Sequence, residues 1–275
     1  RLPDETGRLL FEHSLFTGHP RFFGFITSSA APIGALADLL AASVNPNLGG
    51  WPLSPIASEI ELQTVRWIAQ LLGYPADCGG LLVSGGNLAN FVGFWAARRA
   101  RAEWNVRQKG IAAGPRAPRV YTSKETHTWI EKAADLSGLG TDAIRWIATD
   151  AAQRMDASAL ERAIEEDVRA GHLPLLVVGT AGSVSTGAID PLRAIHAICR
   201  ARSLWFHVDA AYGGPAAALP EADPDLKALA LADSVAIDPH KWLYAPLEAG
   251  CALVRDRALL RDTFAYHPPY YPAQG

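Results

Sequence analysis

Cysteine is scarce in this chain of 275 residues, and the three that occur, Cys78, Cys199 and Cys251, are far apart. This spacing excludes a disulfide framework and a C-x-x-C metal or redox pair. Cys199 falls in a helical pattern and Cys251 in an apolar strand pattern, where buried structural thiols are far more common than nucleophiles. We therefore expect a reducing, cytoplasmic setting.

Long apolar runs are also missing, as is a large excess of charge of either sign. The most apolar stretches, such as residues 174–179, have the length of a strand, and nothing approaches the roughly 20 apolar residues that span a bilayer. No signal peptide is recognisable at the N-terminus. The net charge of −3 gives no electrostatic reason to expect nucleic acid. The sequence thus predicts a globular protein without a membrane or nucleic acid partner.

From about residue 84 onward, strand-like and helix-period segments alternate, which is typical of a parallel sheet with helices on both faces. Candidate helices cover residues 158–170 and 191–202, the second with Asp190 as its N-cap and Pro191 in its first position. Upstream, residues 33–42 and 57–72 have amphipathic helical patterns. We predict an α/β fold. Its candidate strands lie at residues 81–83, 119–121, 144–147, 175–178, 204–208, 234–237 and 251–254.

One of these strands is followed directly by the tetrapeptide Asp238-Pro239-His240-Lys241. A strand as apolar as residues 234–237 should be buried, so Lys241 is expected at the rim of the sheet. Partial desolvation there lowers the pKa of an amine and makes it nucleophilic, and such a lysine can form a Schiff base. The alternative is a solvated loop lysine whose stem covers an apolar patch.

A second motif, Ser84-Gly85-Gly86-Asn87, joins a short apolar strand to a long helix predicted for residues 88–107. Two glycines at a strand-to-helix turn let the backbone approach a ligand, and the N-terminus of the helix offers unpaired N–H groups to an anion. This predicts a phosphate site that is neither a G-x-G-x-x-G nor a Walker loop. A simple tight turn remains the alternative.

A third motif places Asp209 at the end of a strand, followed by the small residues Ala210 and Ala211. Ligands of open α/β sheets bind at the carboxyl ends of strands, so Asp209 is placed to meet one. His207 lies on the same strand face, and with His240 these residues could be imagined as a metal site. A complete ligand set with familiar spacing is absent, so we expect no metal and interpret His207 as a hydrogen-bonded core residue.

His127 stands at a further strand-to-helix junction. Its imidazole can stack on a planar ligand and donate from a ring N–H; the alternative role is capping of the helix. Together these motifs specify pyridoxal 5'-phosphate, because each answers one part of that cofactor. Lys241 would hold its aldehyde, Asp209 its ring nitrogen, His127 one face of the ring, and Gly85, Gly86 and Asn87 its phosphate.

With these motifs in order, the chain resembles the group II pyridoxal-phosphate decarboxylases, the family of aromatic-amino-acid, histidine and glutamate decarboxylases. The resemblance implies the large domain of fold type I, with a mostly parallel seven-stranded sheet, and a homodimer with the active site at the subunit interface. We expect a cofactor-binding domain at residues 53–275 and an N-terminal helical segment at residues 1–52 that contributes to the dimer and the active-site entrance. The small C-terminal domain of relatives is expected to be absent. The matching motifs lie at residues 19–23, 54–61, 84–90, 121–127, 187–190, 207–212 and 239–242.

The resemblance also implies site residues. In this family a tyrosine on a mobile loop, a little under thirty residues after the lysine, returns a proton to the substrate, and Tyr270 or Tyr271 falls there. His240 or His127 is expected to assist. Ala211, two residues after Asp209, is expected beside the cofactor.

The chain departs from the family pattern at several of these positions. Asp238 stands where relatives often carry Asn or Ser. Val184 is in register with a threonine that many relatives place near the cofactor, which leaves Ser183 or Ser185 as substitutes. Thr17, Asn47 and Gly49 occupy positions where larger apolar side chains are expected in aromatic-specific relatives, which weakens the case for an aromatic substrate.

We therefore predict an enzyme that decarboxylates an L-amino acid to its amine and carbon dioxide through a Schiff base on Lys241. One alternative keeps the cofactor but carries out transamination or oxidative deamination to an aldehyde. Another is an inactive cofactor-binding homologue or an incomplete fragment. Retention of the reactive residues argues against a degenerate protein, and the tyrosines favour decarboxylation. The sequence does not specify which amino acid is the substrate.

Overall fold

A computed structural model of the protein describes residues 2–266. The strands are β1 (Gly79–Val83), β2 (Pro118–Ser123), β3 (Ile144–Ile147), β4 (Leu173–Thr180), β5 (Trp205–Asp209), β6 (Ser234–Ile237) and β7 (Gly250–Val254). The α-helices are α1 (Leu2–His13), α2 (Pro32–Val44), α3 (Pro55–Leu71), α4 (Gly85–Arg101), α5 (Val106–Lys109), α6 (Trp129–Leu136), α7 (Ala157–Arg169), α8 (Leu192–Arg202), α9 (Pro224–Lys227) and α10 (Arg257–Phe264).

All seven strands form one sheet in the order β1-β7-β6-β5-β4-β2-β3. Strands β2 to β6 pair in parallel with one another, whereas β7 runs antiparallel to both β1 and β6. The predicted mostly parallel, seven-stranded α/β sheet is therefore confirmed. Because the central strands are parallel, β2, β4, β5 and β6 end at the same edge of the sheet, where ligands of such folds bind.

Two apolar clusters cover the two faces of the sheet. One includes Ile68 of α3, Ile164 of α7 and Ile195 of α8, and the other includes Phe94 of α4 and Ile130 of α6. Residues 175–178 of β4 are all apolar because both faces of the sheet are covered: Val177 belongs to the first cluster, and Leu175, Leu176 and Val178 belong to the second. Helices on both faces, as predicted from the alternating pattern, thus hold the strands whose ends carry the polar motifs.

Two of the predicted helices have different bounds in the structure. The helix predicted for residues 88–107 begins earlier, at Gly85, and ends at Arg101, because Ala102 has extended backbone angles. The helix predicted from Pro191 begins at Leu192, and Asp190 does not cap it. The Asp190 carboxylate instead accepts hydrogen bonds from the backbone N–H groups of Met155, at 2.7 Å, and Thr180, at 2.8 Å. It therefore secures the end of β4 rather than the start of α8.

The N-terminal segment packs differently from the rest of the molecule. Helix α2 has no buried residue, and an apolar helix face without a partner is unusual for an isolated chain. Its neighbour Ala31 donates its N–H to the carbonyl of Tyr244 at 2.8 Å, which holds this segment beside the loop that follows β6. The face of α2 consists of Ile33, Leu36, Leu39, Leu40 and Val44, each more than 60 % exposed. None of the helices within residues 2–266 has the length and apolar character needed to cross a membrane.

Candidate active site

A cavity of about 200 Å³ opens at the shared edge where the parallel strands end. The segments after β5 and β6, the start of α4 and the segment before α6 all contribute to its wall. Each predicted motif thus reaches the same space, although the motifs are up to 156 residues apart between Gly85 and Lys241. The wall is formed by Ile26, Gly86, Asn87, Asn90, Glu125, His127, Thr180, Gly182, Val184, Asp209, Ala211, Tyr212, Asp238, His240, Lys241 and Glu248.

Lys241 is held at this cavity and is not a solvated loop residue. Its side chain is 15 % exposed, and Nζ lies 2.9 Å from Oδ2 of Asp238. The Ser28 hydroxyl donates to the backbone carbonyls of His240, at 3.1 Å, and Lys241. A residue of the N-terminal segment therefore fixes the backbone that presents the lysine.

Asp209 ends β5 as a buried carboxylate, 7 % exposed, that faces the cavity. Its Oδ2 accepts a hydrogen bond from the indole Nε1 of Trp129 at 2.8 Å, and its Oδ1 accepts one from the N–H of Ala211 at 3.2 Å. These neutral donors orient the carboxylate without neutralising its charge, so it can hold a cationic ring N–H. Trp129 was not among the predicted site residues.

Behind Asp209, the fully buried His207 belongs to a chain of hydrogen bonds. The donors at the two ends of this chain, Trp205 and Asn90, determine which group donates in each bond. Trp205 Nε1 donates to Ser234 Oγ at 2.8 Å, and Ser234 Oγ lies 2.7 Å from His207 Nδ1. At the other end, Asn90 Nδ2 donates to Gly86 O at 2.8 Å, so Asn90 Oδ1 is left to accept from His207 Nε2, also at 2.8 Å. The assigned tautomer is therefore neutral with its proton on Nε2.

Burial lowers the pKa of His207 to about 4, against the opposing effect of Asp209. The interpretation of His207 as a hydrogen-bonded core residue is confirmed. Its neutral ring links β5, which carries Asp209, to Asn90 of α4, and the amide of Asn90 donates to the Gly86 carbonyl in the glycine motif. No group of three or more potential metal-ligating His, Cys, Asp or Glu side chains occurs within the described residues.

The glycine motif forms the strand-to-helix turn between β1 and α4, with Gly85 at φ +76°. A Cβ atom at Gly86 would lie 2.6 Å from Oδ2 and 2.8 Å from Oδ1 of Asp238, and one at Gly85 would collide with Glu248. Any side chain at either position would displace these carboxylates, so the close approach explains both glycines. The turn is thus the meeting point of α4 with the segments after β6.

Of the remaining predicted site residues, some line the cavity and others do not. His127 is exposed at the cavity, and its Nδ1 accepts the N–H of Trp129, the first residue of α6, at 3.3 Å. The N-cap position itself is Thr128. Ser183 does not line the cavity, since its hydroxyl pairs with Thr186 at 2.8 Å and it is 1 % exposed. Tyr270 and Tyr271 lie outside the described residues.

His240 and two glutamates complete the wall. Nδ1 of His240 lies 2.6 Å from the carbonyl of Ala249, and Nε2 lies 3.8 Å from Oδ2 of Asp238. Glu125 and Glu248 line the cavity, and neither side chain forms a hydrogen bond or ion pair within residues 2–266. Sequence motifs did not reveal these glutamates, although Glu125 lies only two positions before His127.

The fold is that of the fold type I proteins that bind pyridoxal phosphate. Residues 5–274 match the family model of the pyridoxal-dependent decarboxylase conserved domain, and the chain belongs to that family. The resemblance inferred from the motifs is confirmed, and so is the cofactor that they specify.

Named relatives act on different amino acids. The chain is 34 % identical to aromatic-L-amino-acid decarboxylase of Bacillus atrophaeus over 96 % of this chain and 53 % of that protein. It is 35 % identical to L-2,4-diaminobutyrate decarboxylase of Rhizobium meliloti over 92 % of this chain and 49 % of that protein. A crystal structure of mouse CSAD has a TM-score of 0.91 and 33 % identity, and covers 98 % of this chain and 56 % of that one. The chain thus spans about half the length of these relatives.

The residues that line the cavity have the chemistry that pyridoxal phosphate requires. Lys241 offers an amine, and the oriented carboxylate of Asp209 offers an acceptor for a ring N–H. Oδ1 of Asp238 is a buried acceptor with no hydrogen-bond partner within residues 2–266, beside the glycine turn. Such an orphaned oxygen is costly unless it gains a hydrogen-bond partner from a bound group.

Proposed function

We propose that the protein decarboxylates an L-amino acid, releasing carbon dioxide and the corresponding amine. The observation that carries this proposal is the convergence of Lys241, Asp209 and the glycine turn on one cavity at the carboxyl edge of the sheet. When bound there, pyridoxal phosphate supplies an aldehyde that takes up amines and a protonated ring that withdraws electrons from the bond being broken.

The chain's own residues bind and orient this cofactor. Lys241 would hold the aldehyde carbon through its amine. Asp209 would hold the ring nitrogen in its protonated form, with its carboxylate oriented by Trp129. His127, at the cavity wall, would cover one face of the ring. The N–H groups at the start of α4, from Gly85 to Asn87, receive the phosphate.

Proton movement at the substrate carbon falls to side chains near Lys241. We assign this role to Tyr270 or Tyr271, in agreement with the resemblance, and His240 assists because it lines the cavity next to Lys241. Substitution of each tyrosine by Phe separates the two: the variant that loses amine formation identifies the donor. If both single variants and the double variant form amine at the rate of the unmodified protein, this assignment is wrong.

Product analysis tests the proposed reaction against its main competitors. A purified protein loaded with pyridoxal phosphate should release carbon dioxide and amine in equal amounts from its preferred amino acid. A keto acid would indicate transamination, and an aldehyde with ammonia would indicate oxidative deamination; either product in place of the amine would contradict the proposal. Screening amino acids with acidic, cationic, neutral and aromatic side chains identifies the substrate.

We further propose that the protein is a homodimer in which residues 1–52 contribute to the subunit contact and the active-site entrance. Support comes from the unpartnered apolar face of α2 and from two contacts of the same segment with the site, Ile26 in the cavity wall and Ser28 on the backbone of Lys241. A second copy on this face would remove the apolar surface from water next to the cavity.

The cytoplasm is the proposed compartment. Cys78, Cys199 and Cys251 are all free thiols, and two of them are buried. Burial raises the pKa of Cys78 to about 11 and that of Cys251 to about 12, so these thiols stay protonated and unreactive at neutral pH. A reducing environment suits a protein that keeps such thiols unpaired.

A further inference from the structure

Asp238 has two oxygen atoms in different situations. The residue is 3 % exposed, and its Oδ2 forms an ion pair with Lys241 at 2.9 Å. Its Oδ1 is buried and has no hydrogen-bond partner within residues 2–266. A buried carboxylate oxygen without a donor is unfavourable, and it is relieved either by a donor on a bound molecule or by a proton on the carboxyl group itself.

The surroundings of Asp238 favour a proton on its own carboxyl group when an anion binds. Both of its oxygens lie against Gly86, and Glu248 lies against Gly85, so two carboxylates adjoin the turn at which α4 offers its N–H groups. A phosphate group carries up to two negative charges near neutral pH. Placing a phosphate beside two ionised carboxylates in a partly buried site is electrostatically unfavourable, even though the partial positive charge of the helix N-terminus offsets some of the repulsion.

We propose that Asp238 is protonated when the phosphate of the cofactor is bound, and that it donates this O–H from Oδ1 to a phosphate oxygen. The proposal rests on the cofactor assignment above. One proton from the solvent accompanies the phosphate into the site and forms the O–H bond at Oδ1, so the negative charge of the carboxylate is neutralised; no other bond is made or broken. Asp238 thereby couples the binding of a phosphate ligand to the uptake of a proton.

Some of the charged groups around Asp238 raise the pKa of its carboxyl group, and others lower it. Burial raises the pKa of its carboxyl group, and the charge of Asp209 adds to this effect, while Lys241 and His240 oppose it; the net direction is upward. Glu248, across the glycine turn, adds a further negative charge to the same region.

An infrared difference experiment on the full chain tests this inference directly. The probe is pyridoxamine 5'-phosphate, which has no aldehyde and therefore cannot bond to Lys241. The complex with the unmodified protein should show the C=O stretch of a protonated carboxylic acid, and the Asp238→Asn complex should lack it. Glu248→Gln is the matched control and should keep the band, because it removes the neighbouring carboxylate only. Absence of the band from the unmodified complex, or its survival in Asp238→Asn, would overturn the proposal.

Affinity measured against pH provides a second readout that does not depend on turnover. Pyridoxamine, which lacks only the phosphate, corrects for titration of the ring and the amine. The affinity advantage of the phosphate ligand should fall with rising pH above neutrality, by up to about tenfold per pH unit once both Asp238 and the free phosphate are ionised. In Asp238→Asn this advantage should be larger at pH 8 and nearly independent of pH. An unchanged pH profile in that variant contradicts the proposal, whatever the protein does to amino acids.

Discussion

The indole nitrogen of Trp129 donates a hydrogen bond to Oδ2 of Asp209 at 2.8 Å, across 80 residues of sequence. Trp129 begins α6 and is fully buried, while Asp209 ends β5 at the cavity. The same indole packs edge-on against His207, with ring centroids 5.7 Å apart. One side chain therefore fixes the orientation of the carboxylate and covers the neutral histidine behind it.

Removal of this donor should weaken cofactor binding. Hydrogen bonds to charged groups contribute about 1.5–3 kcal/mol, so Trp129→Phe should raise the dissociation constant for pyridoxal phosphate by roughly tenfold or more. Absorbance titration of the cofactor-free protein measures this. Trp205→Phe is the matched control, since Trp205 is buried but donates to Ser234 and not to Asp209. Equal cofactor affinities for the two variants would contradict the role given to Trp129.

A second prediction concerns the pH dependence of stability. The pKa of His207 is lowered to about 4 in the folded protein. Between about pH 6.5 and pH 4, the unfolded chain therefore binds a proton at His207 and the folded chain does not. The stabilising contribution is present above pH 6.5 and is lost as the pH falls toward 4, by up to about 3 kcal/mol.

The measurement is urea unfolding of the unmodified protein and of His207→Gln at several pH values from 7 to 4. Subtracting the two curves cancels other titrating groups, including Asp190, whose pKa burial raises to about 6. The stability advantage of the unmodified protein should shrink as the pH falls through this range. Parallel curves from pH 7 to pH 4 would show that His207 is not the buried neutral group described above.

A third prediction tests the proposed dimer. Leu39→Glu places a charge on the exposed apolar face of α2, where a partner subunit would bury it at high cost. Light scattering should give twice the chain mass of 29.4 kDa for the unmodified protein and the single-chain mass for Leu39→Glu. Leu136→Glu, at a similarly exposed leucine on α6, should remain dimeric. A monomeric unmodified protein would remove the basis for a shared active site.

The sequence predicted the sheet well because its signals are local. Apolar strands such as residues 234–237 and the motifs that follow them are read directly from composition, and their convergence follows from the rule that parallel strands end at one edge. Asp209 and Lys241 can therefore be identified from the sequence alone as neighbours of one cavity.

The errors and omissions concern contacts that depend on the path of the chain. Asp190 precedes a proline and a helical pattern, which favours a capping role, yet its carboxylate binds the backbone of Met155 and Thr180 from two other segments. Glu248 lies in an irregular loop whose position beside Gly85 no periodicity encodes. The role of Trp129 in orienting Asp209 could not be predicted either, because no sequence pattern pairs position 129 with position 209.

The central claim is that Lys241 is the covalent anchor of pyridoxal phosphate. Reduction of the loaded protein with borohydride, followed by peptide mass spectrometry, locates the attached cofactor. We predict that it is found on the peptide containing Lys241, that it is lost together with turnover in Lys241→Ala, and that it persists in Lys124→Ala. Attachment at another lysine, or full activity of Lys241→Ala, would contradict the account.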